Sequence, residues 1–322
     1  MPDDTSSRLV TDMAELPRRW KLPTGGETVW VDAALGGRLR AMLWPMAGAR
    51  GSVLVVPGRT EFIEKYGEVI HDLLDRRYAV GIYDPYNHGL SPRPLANPHK
   101  HHAISFAPLI TDLETVMASL TNAGLPQPLT LLAHSMGGHV ALHALARQPD
   151  LAPRAILTAP MVGIRLAPLM AWLAQALGRV TRGGRQAQRY APGQGDWRGG
   201  ARRLALRRLL TSDAARFAAE DALLAANPAL RLGGVTLGWL DTALRSCDAF
   251  AKPGIAERIT ADCLFLLGGA DRVVDNAAAR RLAARMSSAR VEDIPGARHE
   301  ILRERDDLRD FAFTAIDDFL GG

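Results

Sequence analysis

Cysteine is scarce: Cys247 and Cys263 are the only two in 322 residues. A pair this sparse makes neither a disulfide framework nor a thiolate metal site, and it points to a reduced, cytoplasmic chain. Long apolar runs are lacking too. The longest strongly apolar window, residues 166–178, has thirteen residues, whereas a membrane-spanning helix takes roughly twenty. The opening residues, MPDDTSSRLVTDMAELPRRW, carry early acidic side chains and no apolar h-region, so no secretory signal is expected. Internal repeats and low-complexity tracts are also missing, which excludes solenoids and disordered linkers.

Lysine is missing from one long segment. Residues 161–250 contain thirteen arginines, no lysine and six carboxylates, a net charge of +7 in a chain whose total is +5. The segment reads either as a solvated, arginine-rich helical surface or as one that attracts anionic head groups at the inner face of a membrane. No nucleic-acid motif or aromatic-interleaved basic stripe accompanies the charge, which argues against nucleic acid as a partner.

What is present is an alternation of strands and helices. TVWVDA, RLRAMLWP and SVLVVPG are short, β-rich and bounded by glycine or proline. In EFIEKYGEVIHDLLDRR, Phe62, Tyr66, Ile70 and Leu73 recur at helical spacing, and YAVGIYD returns as a strand. A helix over 107–120, the strand PLTLLAH, the helix MGGHVALHALARQ and the strand RAILTAP continue the rhythm. It stops at 161–251, where periodicity is helical and glycines cluster, and resumes with DCLFLLGGAD, AAARRLAARM, ARVEDI and a helix over 306–320. The pattern predicts an α/β fold, a mostly parallel central sheet flanked by helices. Residues 1–160 and 252–322 form its core domain, and 161–251 an inserted helical cap.

In such sheets ligands sit at the carboxyl ends of the strands. Ser135 follows PLTLLAH, Asp271 follows CLFLLGGA, and His299 follows the loop after ARVEDI. A serine hydroxyl is a weak nucleophile and needs an imidazole to take its proton; a carboxylate fixes that imidazole's tautomer. Each has an ordinary alternative when taken alone: Ser135 as a helix cap, Asp271 as a turn residue and His299 as a loop histidine. Together, in the order Ser, Asp, His, they make a catalytic constellation. The elbow pattern G-x-S-x-G is altered, with Ala133 at its first position.

The stretches VVPGRTEFIEKYGEVIHDLLDRRYAVGIYDPYNHGLSPR, AHSMGG, LLTSDAARF, LLAANPALRLGG, LLGGADRVVD and IPGARHEI resemble the α/β-hydrolases. Within them, the similarity is to the lysophospholipase and monoacylglycerol lipase group, in its bacterial lysophospholipase branch. The resemblance covers the chain from about residue 28 onward, including the cap. It implies an α/β-hydrolase fold and an oxyanion hole made by the backbone N–H groups of Met136 and Arg59. Arg59 enters by position, because Pro57-Gly58-Arg59 stands where relatives carry His-Gly and the donor residue. It further implies hydrolysis of lysophospholipid or monoacylglycerol esters through an acyl-enzyme on Ser135, with no cofactor and no metal. A general carboxylesterase or aminopeptidase-like hydrolase, and a catalytically silent binding scaffold, stay open as alternatives.

Several residues are assigned supporting parts. His99, His101 and His102 form H-x-H-H with no carboxylate to complete a metal site. Asp275 is expected to cap the next helix rather than to serve as the triad acid. His134 is expected to point away from the elbow, and Glu61 to order the oxyanion loop. Leu166, Leu169, Met170, Leu173 and Leu177 form an apolar stripe that faces either the core or an acyl chain.

Overall fold

The computed structural model describes residues 15–166 and 184–321. The opening residues 1–14, and all of the apolar stripe except Leu166, lie outside the described residues. The strands are β1 (Glu27–Asp32), β2 (Arg38–Trp44), β3 (Ser52–Val56), β4 (Ala79–Tyr83), β5 (Leu129–His134), β6 (Arg154–Thr158), β7 (Asp262–Gly268) and β8 (Ala289–Ile294). They form one sheet in the order β1-β2-β4-β3-β5-β6-β7-β8. β2 pairs antiparallel with β1 and β4, and every other pairing is parallel. β3, β4 and β5 are buried at every position, because a parallel strand covered on both faces has no solvent side and reads as an unbroken apolar run.

The helices α1 (Gly67–Asp75), α2 (Ala107–Asn122) and α3 (Met136–Arg147) connect successive strands of the first half, and α7 (Asn276–Ala283) and α8 (Asp306–Leu320) belong to the second. The chain steps from β3 to β4 on one side and then to β5 on the other. Winding therefore reverses at β3 and β5, and the carboxyl ends of these two strands leave the crevice in which open sheets bind ligands.

Between β6 and β7 the described residues add α4 (Ala201–Leu210), α5 (Ala214–Ala226) and α6 (Leu237–Phe250) but no strand of the sheet. Asp213 caps α5 by accepting from the Arg216 N–H at 2.8 Å, and Thr236 caps α6 by accepting from Trp239 at 3.2 Å. Each such cap is worth about 1 kcal/mol. The inner side of α5 packs Ala219, Leu223 and Leu224 against Phe62. Among the described residues, three arginines of this segment are engaged in ion pairs. Arg203 pairs with Glu220 and Asp221, Arg216 with Glu68, Asp213 and Asp306, and Arg245 with Asp241. Arg185, Arg198, Arg202 and Arg208 stay exposed.

Among the described residues no helix is long and apolar enough to cross a membrane. Cys247 on α6 and Cys263 on β7 are buried and unpaired, and burial pushes both thiols up to about 12.

Candidate active site

Ser135 stands between the last residue of β5 and the first of α3. Its backbone, at φ 51° and ψ −113°, lies in a region that side-chain-bearing residues avoid. The conformation is held from both sides. The Ser135 N–H donates to the Thr158 carbonyl at 3.0 Å, and the Ser135 carbonyl accepts from Met161 at 2.9 Å and His139 at 3.1 Å. The turn also requires a close approach: a Cβ on Gly137 would come within 2.1 Å of the Val56 carbonyl oxygen. Ala133, the departure from G-x-S-x-G, is fully buried in β5 between Val56 of β3 and Leu157 of β6. One methyl is accommodated there.

The three residues predicted from strand ends are brought together. His299 Nε2 lies 2.8 Å from Ser135 Oγ, and His299 Nδ1 lies 2.7 Å from Asp271 Oδ2. Facing a carboxylate, Nδ1 carries the ring proton and donates it, which leaves Nε2 as an acceptor for the serine hydroxyl. Burial opposes ionisation of Asp271, but His299 and the backbone N–H groups of Val273 and Val274 outweigh it and hold the carboxyl below its usual range. Arg165 Nη1 donates to the Asp271 carbonyl at 2.8 Å and fastens the chain leaving β6 to this loop.

The loop after β3 is ordered by Glu61, as its position suggested. Glu61 Oε2 accepts from the Gly58 N–H and from the Tyr66 hydroxyl, both at 2.5 Å. Arg59, the next residue, borders the same cavity as Ser135. Met136 opens α3, where a helix's first N–H groups have no intrahelical acceptor.

Sequence reasoning overlooked what holds this arrangement. Lys65 Nζ lies 3.1 Å from Glu61, 2.9 Å from Glu220 on α5 and 2.7 Å from Glu300, the neighbour of His299. A buried ammonium thus ties together the loop after β3, the segment between β6 and β7, and the histidine loop. The expectation for His134 is corrected. Its ring does not turn away from the site; it lies against that of His299, with centroids 4.9 Å apart. His134 Nδ1 donates to the Thr158 carbonyl at 3.0 Å. All six positions of β5 are buried, so strand alternation there does not separate a site face from a solvent face.

Asp275 caps α7, accepting from the Ala277 N–H at 2.9 Å. The three loop histidines each have a local role. His99 Nδ1 accepts from the Trp197 N–H at 3.2 Å, His101 packs against Trp239, and His102 Nδ1 lies 2.9 Å from Thr236 Oγ1. Among the described residues no group of three or more metal-ligating side chains comes together.

Ser135 opens on a cavity of about 470 Å³. Met161, Ile164, Val235, Trp239, Leu240 and Val273 supply apolar walls, and Leu166 borders it as well. The walls come from α6, from the loop after β7 and from the chain leaving β6. An arrangement of this kind can pass a proton from a serine hydroxyl to an imidazole beside a pocket suited to an apolar chain.

The chain aligns with known proteins over most of its length. It is 34% identical over 277 residues to lysophospholipase L2 of Escherichia coli strain K12, covering 83% of this chain and 79% of that one. It is 26% identical over 285 residues to a monoacylglycerol lipase of Mycolicibacterium smegmatis, covering 84% and 90%. Its fold matches the crystal structure of a soluble variant of monoglyceride lipase from Saccharomyces cerevisiae with a TM-score of 0.74. That match has 18% identity and covers 95% of this chain and 98% of the other. The family model Hydrolase_4, described as Serine aminopeptidase, S33, matches residues 47–306. With the elbow serine, the strand order and this match in agreement, the chain belongs to the Hydrolase_4 family of α/β-hydrolases.

Proposed function

We propose that the protein is a serine hydrolase that cleaves the carboxylic ester of single-chain lipids, lysophospholipids or monoacylglycerols. The observation that carries this reading is the contact series Ser135 Oγ, His299 Nε2, His299 Nδ1, Asp271 Oδ2, at 2.8 and 2.7 Å, opening on an apolar cavity. Ser135 Oγ bonds to the ester carbonyl carbon while His299 Nε2 takes its proton. The oxyanion meets the backbone N–H groups of Met136 and Arg59. His299 returns the proton to the leaving alkoxide, freeing the alcohol and leaving an acyl group on Ser135. Water, deprotonated by the same imidazole, then releases the fatty acid and restores the serine. Asp271 keeps the imidazole oriented and offsets its positive charge. Residues 161–251 act as a cap over the core formed by 1–160 and 252–322.

An aminopeptidase must hold a substrate ammonium, and no carboxylate is among the described residues lining the Ser135 cavity. This favours an ester with an apolar acyl chain. Kinetics with purified protein test the reading. A fluorophosphonate probe should label wild type but not Ser135→Ala, and that substitution should lower turnover by about a millionfold. Long-chain monoacylglycerol or lysophospholipid should be cleaved, with fatty acid released. Brisk turnover of short soluble esters with no release from either lipid would overturn the lipid reading.

The exposed arginines at 185, 198, 202 and 208 support peripheral contact of a cytoplasmic protein with anionic membranes. Such contact weakens with salt, because exposed charges are screened within about 10 Å at 0.1 M. Co-sedimentation with phosphatidylglycerol vesicles that is absent at low salt would refute it.

A further inference from the structure

Beside the Ser135 cavity lies a second cavity of about 260 Å³. Arg59 and Gln194 border both, so the two spaces meet at the residue proposed to serve the oxyanion. Their chemistry differs. The first has apolar walls, whereas Arg59, Arg198, Arg202 and Arg203 line the second together with Asp196 and Glu220.

The charges in the second cavity do not cancel. Glu220 is engaged by Lys65 at 2.9 Å and Arg203 at 2.9 Å, and Arg203 also holds Asp221. Asp196 accepts from the Tyr190 hydroxyl and from Asn97 Nδ2 at 2.9 Å. No described carboxylate lies in ion-pairing range of Arg59, Arg198 or Arg202. Among the described residues Arg59 Nη1 donates only to the Gly233 carbonyl, at a long 3.3 Å, and Arg202 Nη2 donates to the Gly193 carbonyl at 3.2 Å. Burial without a countercharge lowers the Arg59 guanidinium to about 10. An arginine so placed retains forked donors for an anion. One water occupies roughly 30 Å³ in the liquid, so the cavity has room for a group of several heavy atoms.

We propose that Arg59, with Arg198 and Arg202, receives the phosphate of a lysophospholipid head group in this second cavity while the acyl chain lies in the first. Arg59 then favours phosphate-bearing substrates over neutral monoacylglycerols. Its backbone serves the reacting oxygen and its side chain reads the head-group phosphate across the glycerol, whose phosphorus is five or six bonds from the ester carbonyl carbon. The proposal rests on the single-chain lipid reading and narrows it.

The test compares hydrolysis of hexanoyl lysophosphatidylglycerol and hexanoylglycerol, both kept monomeric so that no lipid surface contributes. Wild type should prefer the phosphate ester in kcat/KM. Arg59→Met retains the backbone N–H, and in it the preference should fall about tenfold, the loss expected for one hydrogen bond to a charged group. Arg198→Ser/Arg202→Ser should lower the preference in the same direction; it alters two exposed side chains and so guards against a folding defect at residue 59. Glycerol 3-phosphate should inhibit wild-type hydrolysis of p-nitrophenyl butyrate competitively and more strongly than inorganic phosphate; the reverse order marks a free-phosphate site and refutes the head-group assignment. If both lipids are cleaved without preference, or the preference survives both variants, the proposal is overturned and the lipid reading stands. Turnover of p-nitrophenyl butyrate with cleavage of neither hexanoyl substrate would overturn the proposal, and failure to cleave the long-chain lipids as well would end the lipid reading.

Discussion

Ser135 keeps its unfavourable backbone angles only because its neighbours leave the chain no room to relax. Gly137 is the most confined of these. A methyl group at that position would meet the carbonyl oxygens of Val56 and Pro57 at 2.1 and 2.6 Å, and these are backbone atoms that cannot rotate aside. Gly137→Ala should therefore cost about 3 kcal/mol or more by overpacking, seen as a lower midpoint in urea unfolding. A midpoint equal to that of wild type would show that the elbow is softer than its geometry implies. Much of this site was legible residue by residue: a serine, an aspartate and a histidine each just past a strand end. Their neighbours were not. Glu300 follows His299 directly and His134 precedes Ser135 directly, yet what each touches depends on partners far away in sequence, such as Lys65 for Glu300.

At the scale of elements, the buried charge cluster is the joint between three pieces of chain. Lys65 lies on a short turn before α1, Glu220 on α5, and Glu300 in the loop before α8. Burial disfavours the ionised forms of Glu61 and Glu220, but the Lys65 ammonium leads the interactions that outweigh it and hold both carboxyls below the ordinary 4.5. Because these folded-state values are depressed, the stability they contribute is complete above the unfolded value and is lost as pH falls below it. Urea midpoints should hold steady from about pH 7 to pH 5 and drop below about pH 4.5, and Glu61→Gln should flatten that drop. An unchanged slope in the variant would show that this cluster does not govern acid stability. Element boundaries, by contrast, were close to readable. The final helix was expected at 306–320 and spans Asp306–Leu320, because local apolar spacing sets helix extent. Spacing carries no signal for a pairing such as Lys65 with Glu300, 235 residues apart.

Across the whole molecule, the parallel sheet was foreseeable from alternating apolar strands and amphipathic helices, and the arginine-rich segment from composition. The segment's net count already balanced the pairs of Arg203 and Arg245 with carboxylates of the same segment; what it could not show is that Arg216 also binds Glu68 and Asp306 from outside. The two cysteines have a practical consequence. A thiol reacts as its thiolate, and burial that lifts Cys247 and Cys263 to about 12 leaves almost none at neutral pH. The native chain should stay unmodified by maleimide over an hour at pH 7, whereas Arg208→Cys should label stoichiometrically, as intact-mass measurement would report; labelling of wild type would contradict this. The molecule is therefore a ready background for spectroscopy. A single dye or spin label can be set on the helices between β6 and β7 without first removing either native sulfur.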